Sequence, residues 1–170
     1  VFLNEATGRN ARLVYGKINL LSETGKLINT VGRPWDVAKK DFPRFMSVVH
    51  CGAFHAKSLF SDNGLFNPHF KIAGDYEFLL REFTRGGEFL FLNSVIAGMR
   101  TGGLSANTDF RLTVAREEML AQSMNHISPG FNSRWKIMKA IFVMTVSKVL
   151  GSKVAKILLD GIRSLQGRAG

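Results

Sequence analysis

The chain has 170 residues, 45% apolar and 11% aromatic, enough material for one domain with a buried core and too little for two. Its formal net charge of +10 is concentrated near the end: residues 131–170 hold eight bases (Arg134, Lys136, Lys139, Lys148, Lys153, Lys156, Arg163, Arg168) against Asp160, leaving only +3 for residues 1–130. A single cysteine, Cys51, excludes an internal disulfide and a zinc-thiolate cluster and points to a reducing compartment. VFLNEATGRN has no basic segment followed by an apolar run, so no signal peptide is read, and Val1 suggests that the chain is cut from a longer one.

In chain order, LVYGKI and LINTV, separated by the turn formers SETGK, predict a β-hairpin interrupted by RPW. A polar stretch then leads to MSVVHCGAF, read as a buried strand ending at a glycine with His50 and Cys51 at its end. AKSLF predicts one or two helical turns, and SDNGLFNPHF is dense in turn formers. Residues 70–83, FKIAGDYEFLLREF, predict an amphipathic helix after a tight turn: Tyr76, Leu79, Leu80 and Phe83 share one face, and Gly86 and Gly87 end it. EFLFL and SVIAGM read as two strands, MRTGGLS as a glycine-rich loop, and residues 109–125 as a helix capped by Asp109. Strands alternating with helices predict an α/β fold, with the strand order left open.

Three ordered stretches, LVYGKINLLSETGKLI, HCGAFHAKSLFSDNGLFNPHFKIAGDYEFLLR and GEFLFLNSVIAGMRTGGLS, span residues 12 to 105. Together they resemble the C-terminal, acceptor-side half of a family-2 glycosyltransferase of the GT-A (Rossmann-like) fold, of the bacterial surface-polysaccharide type. The family pattern G-x-F-[DN]-x-x-F-x-x-x-[EG]-D falls on Gly64, Phe66, Asn67, Phe70, Gly74 and Asp75. Asn67 stands where aspartate is commoner, which affects a local turn; Gly74 stands where many members have glutamate, which leaves Asp75 as the candidate carboxylate. The family's nucleotide-binding half, with its Asp-x-Asp metal motif, has no counterpart in these residues. The resemblance therefore implies residues 1–130 as the C-terminal half of a catalytic domain and 131–170 as basic amphipathic helices. It also implies a divalent metal (Mg or Mn) held by the missing half, and a fragment inactive alone. The implied partners are a nucleotide-sugar donor and a carbohydrate or lipid-linked acceptor. The implied location is cytoplasmic, at most peripheral on the inner face of the plasma membrane.

By residue type and position alone, Asp75 is a helix N-cap; the resemblance makes it the base that takes a proton from the acceptor hydroxyl. Gly74 precedes it. Glu77 in the first turn favours the helix dipole, and Arg81 at i+4 suggests a small surface ion pair, with a role in steadying the site as the alternative. His50 is either an acceptor or donor contact or a hydrogen-bonded structural histidine. Cys51 reads as a small buried hydrophobe without chemistry. Arg100, Gly102 and Gly103 suit a diphosphate-wrapping loop, for which a plain loop is the competing reading; the histidine often found there in the family, able to reach the metal, is absent. In the tail, Trp135 and Phe142 with regularly spaced lysines suit an anionic membrane surface, or else helices packed on the domain with a solvated basic face. A non-catalytic basic module binding such a surface is thus the second functional reading. Too few aromatics interleave the bases to suggest nucleic acid.

Overall fold

The structure, a computed structural model, describes residues 11–101 and 110–150. It is a mixed α/β arrangement around a small open sheet. Strand β1 (Leu13–Leu21) is its axis. Along one edge the C-terminal half of β1 pairs antiparallel with β2 (Leu27–Val31), and its N-terminal half pairs antiparallel with β3 (Ala53–His55). Along the other edge β4 (Phe89–Arg100) runs parallel to it from Leu13↔Phe89 to Leu21↔Arg100. The predicted hairpin is present, turning through Gly25 at φ 86°, where the missing Cβ removes the left-handed penalty.

Three expectations are corrected. EFLFL and SVIAGM are one strand, β4, whose register against β1 slips between Gly16 and Ile18. Gly16 makes the slip possible, since a Cβ there would sit 2.8 Å from the Ser94 carbonyl oxygen. MSVVHCGAF is not a strand up to its glycine: His50–Gly52 forms a 3₁₀ turn, and β3 begins only after it. The tryptophan of RPW and the polar residues after it, expected to have no regular structure, form α1 (Trp35–Asp41) behind Pro34. Only Trp35 and Ala38 of α1 are buried, too few repeats to display a period.

After β3 come α2 (Lys57–Asn63), α3 (Gly74–Thr84), and, beyond β4, α4 (Arg111–Met124) and α5 (Phe131–Leu150). The predicted cap Asp109 lies outside the described residues. Helix α3 is buried on more than the single expected face: Tyr76, Leu79 and Leu80 are joined by Phe78, Glu77 and Glu82, while Phe83 is half-buried. One aromatic cluster, Trp35, Phe42, Phe83 and Phe89, packs with tilted and edge-to-face rings against the sheet and Tyr76. A second, Phe60, Phe66 and Phe78 with His55, packs with centroids 4.7–5.9 Å apart. Such geometry adds about 0.5–1.5 kcal/mol per pair beyond area burial. Helix α3 is therefore the wall between two aromatic layers. Burial raises the Tyr76 and Tyr15 hydroxyls well above their ordinary value, and each donates to a carbonyl, Phe42 at 3.0 Å and Arg33 at 2.7 Å.

Candidate functional site

The first turn of α3 decides what Asp75 is free to do. The residue at the N-cap is Ala73, which has no side-chain oxygen to offer. Instead Glu117 reaches across from α4: its Oε1 accepts from the Lys71 amide at 2.8 Å, and its Oε2 from those of Ile72 and Ala73 at 2.9 and 2.8 Å. Desolvation pushes this buried carboxyl up, but the three backbone N–H groups and Lys71 together outweigh it and hold Glu117 below its ordinary value. The chain entering α3 is thus held by a side chain more than forty residues away.

Asp75 is not at the N-cap that its type and position suggest, because the helix begins at Gly74 behind Ala73. It lies in the first turn, its Oδ1 accepting from the Tyr76 amide at 2.8 Å. Its side chain is 34% exposed, and Oδ2 faces His50 Nδ1 at 3.6 Å, an electrostatic contact longer than a hydrogen bond. The positive end of the α3 dipole favours its charge. Gly74 precedes it without strain, a Cβ there meeting Phe70 Cβ at 3.4 Å and the Asn67 carbonyl oxygen at 4.0 Å.

His50 is brought to Asp75 by the 3₁₀ turn that replaces the expected strand end. Its ring stands 5.0 Å from that of His55 and 6.3 Å from that of Phe66, edge-on to both. The Nε2 atoms of His50 and His55 are both buried without a hydrogen-bond partner. Burial among Phe60 and Phe78, with His50 adding repulsion, drives His55 down to about 4, so it is neutral at physiological pH.

Sequence reasoning passed over His55, Phe66 as a wall of the site, and Glu117. A histidine five residues after His50 was visible; the long-range Glu117 contact carried no local signal.

Glu77 and Arg81 are placed differently from the expected surface pair. Glu77 is 2% exposed, and its two oxygens meet Arg81 Nε and NH2 each at 3.0 Å. Arg81 also donates to the carbonyls of Asn63 and Leu65, the latter at 2.9 Å, and lies 5.0 Å over the Phe78 ring. These bonds flank Gly64, whose φ of 77° ends α2. The pair therefore holds the α2–α3 loop, on the side of α3 away from Asp75. In that loop Asn67 Oδ1 accepts from the His69 amide at 3.0 Å, a turn bond that aspartate would make equally well.

Cys51 is exposed, contrary to the buried reading. Its Sγ is 3.7 Å from Met99 Sδ, and desolvation, with Asp75 adding to it, pushes the thiol up, so no nucleophile is made. The Met99 contact brings the end of β4 beside the His50 turn, with Arg100 exposed next in the strand. Gly102 and Gly103 lie outside the described residues.

Asp75, Gly74, His50 and the end of β4 thus gather at one place, and Glu77 and Arg81 serve the loop behind it. Among the described residues no group of three or more His, Cys, Asp or Glu side chains is placed to hold a metal ion. No helix of the described residues is long and apolar enough to cross a membrane. No known family model matches the chain, and a search of curated proteins finds no match.

Proposed function

We propose that the chain is the acceptor-side part of an inverting glycosyltransferase, hexosyltransferase-like, in which Asp75 is the general base. The observation that carries this reading is the placement of Asp75: Glu117 holds the three amides leading into α3, and Asp75, in the first turn, is a carboxylate 34% exposed with Oδ2 facing His50 at 3.6 Å. A carboxylate so placed can take the proton of an acceptor hydroxyl as its oxygen attacks the anomeric carbon of a nucleotide-activated sugar. The C–O bond to the nucleoside diphosphate breaks, and the configuration inverts. His50 orients one Asp75 oxygen, and Phe66, 44% exposed, offers an apolar face to a sugar ring beside it. The nucleotide-binding half and its divalent metal belong to residues outside this chain, so no step here runs through the metal. Arg100 at the end of β4 is the cation nearest in sequence to the loop proposed to meet the leaving diphosphate. The ordered motifs support the surface-polysaccharide or glycolipid assignment, with a carbohydrate or lipid-linked acceptor on the cytoplasmic side.

The test is Asp75→Asn in the complete enzyme. Asparagine keeps the shape and the Tyr76 bond but cannot accept the proton, so transfer should fall on the order of 10²–10⁴-fold while melting temperature and donor binding stay at parent values. Transfer at the parent rate would remove Asp75 from the chemistry.

A further inference from the structure

Helix α5 packs on α4 through a narrow face. Ser133 and Ala140 are buried there, and Ser133 Oγ is 3.1 Å from Gln122 Oε1. The opposite face carries Phe131, Trp135, Met138 and Phe142, which are 78%, 50%, 61% and 54% exposed. At about 100° per residue these four side chains fall in a stripe about 60° wide, with Ser133 and Ala140 on the far side of the helix. Arg134, exposed, and Lys139, half-exposed, lie about 70° to either side of the stripe's centre. No acid occurs between Phe131 and Leu150.

We propose that this face of α5 docks on an anionic lipid surface, lying in its plane. An apolar stripe with aromatic residues, flanked on both sides by cations and free of acids, matches an interface whose interior is hydrocarbon and whose rim is negative phosphate. A second copy of this face would bring Arg134 and Lys139 against their own like charges. Their placement therefore selects the lipid surface over self-association. The helix lies on the membrane and does not cross it, four bases being too many for a span of this length. The inference does not depend on glycosyl transfer.

Trp135 reports on the contact directly, because the only other tryptophan, Trp35, is 6% exposed and in the core. Tryptophan emission of the full chain is measured with vesicles of equal parts phosphatidylcholine and phosphatidylglycerol, and with phosphatidylcholine alone. Emission should shift to the blue with the anionic vesicles only, and added salt should reverse it. In co-sedimentation with the same vesicles, the Arg134→Gln/Lys139→Gln variant should bind on the order of tenfold more weakly. Trp135→Ser/Phe142→Ser should be lost from the pellet while its circular dichroism stays that of the parent, since both side chains point away from α4. Absence of a blue shift overturns the proposal, whether the protein is dimeric by sedimentation equilibrium, which assigns the face to a second copy, or monomeric. Equal binding to neutral vesicles, or retention of the Ser variant, overturns it as well.

Discussion

At the residue scale, His55 gives the fold an acid-sensitive point. Its folded value, about 4, lies below the ordinary histidine value of about 6.5, so between these pH values the unfolded chain binds a proton that the native state refuses. Stability is therefore lost as pH falls through this window and levels off below the folded value. Replacing His55 by Phe keeps a ring against Phe60 and Phe78 and removes a buried nitrogen that has no partner. His55→Phe should flatten the dependence of urea midpoint on pH between about 6.5 and 4.5. A parent-like slope would place the acid sensitivity elsewhere. Glu117 is held below its ordinary value by the backbone amides it accepts from, so its contribution is present above the ordinary carboxylate range and is lost as pH falls below it.

At the scale of elements, the entry to α3 is governed from α4. Three consecutive amides converge on the two oxygens of Glu117, and a glutamine there would supply one acceptor oxygen and turn an N–H group toward the remaining donors. Glu117→Gln should destabilise by about 1–3 kcal/mol, the cost of leaving buried donors unpaired, and should speed hydrogen exchange at Lys71, Ile72 and Ala73. Because Asp75 begins two residues after the last of these amides, transfer by the complete enzyme should fall as well. Protected amides in the Gln variant would show that packing alone holds this turn. The end of α4 is also irregular: His126 adopts φ 58° where glycine is usual, and the Ile127 amide closes on the Gln122 carbonyl at 2.8 Å, with Ile127 packed on the core. The cost of that backbone falls on a helix end that the core contact of Ile127 already holds.

For the whole molecule, the parallel pairing of β1 with β4 encloses α1, α2 and α3 in one long crossover, and the two aromatic layers meet at α3. The candidate site sits at the start of α3, the lipid-facing stripe on the last described helix. On the proposed reading the nucleotide-binding half and the metal that it holds are supplied by residues outside this chain. These 170 residues by themselves should therefore show no turnover with any nucleotide sugar, assayed by release of nucleoside diphosphate. Turnover by the isolated chain would mean that the donor site lies within it.

The hairpin, the glycine stop after α3 and the helices expected at AKSLF, within 70–83 and within 109–125 were legible because each depends on neighbours in sequence, such as turn chemistry at SETGK, a 3.6-residue apolar period or a glycine beyond the last turn; the extension of α2 through Asn63 was not, since SDN reads as turn. Asp75 at the start of α3 was legible for the same reason. What Asp75 does there was not, because the helix begins one residue earlier, behind Ala73, and the chain entering it is held by Glu117 from α4, a contact with no local signature. Likewise the Glu77–Arg81 spacing predicts a pair, but only the α2–α3 loop folding over it makes that pair buried, and only the sheet decides that two apolar runs become one strand beside β1. The chain's local periods determined which segments are helix and strand. Tertiary packing alone decided which side chains are left free to act, since that depends on which partners distant segments bring.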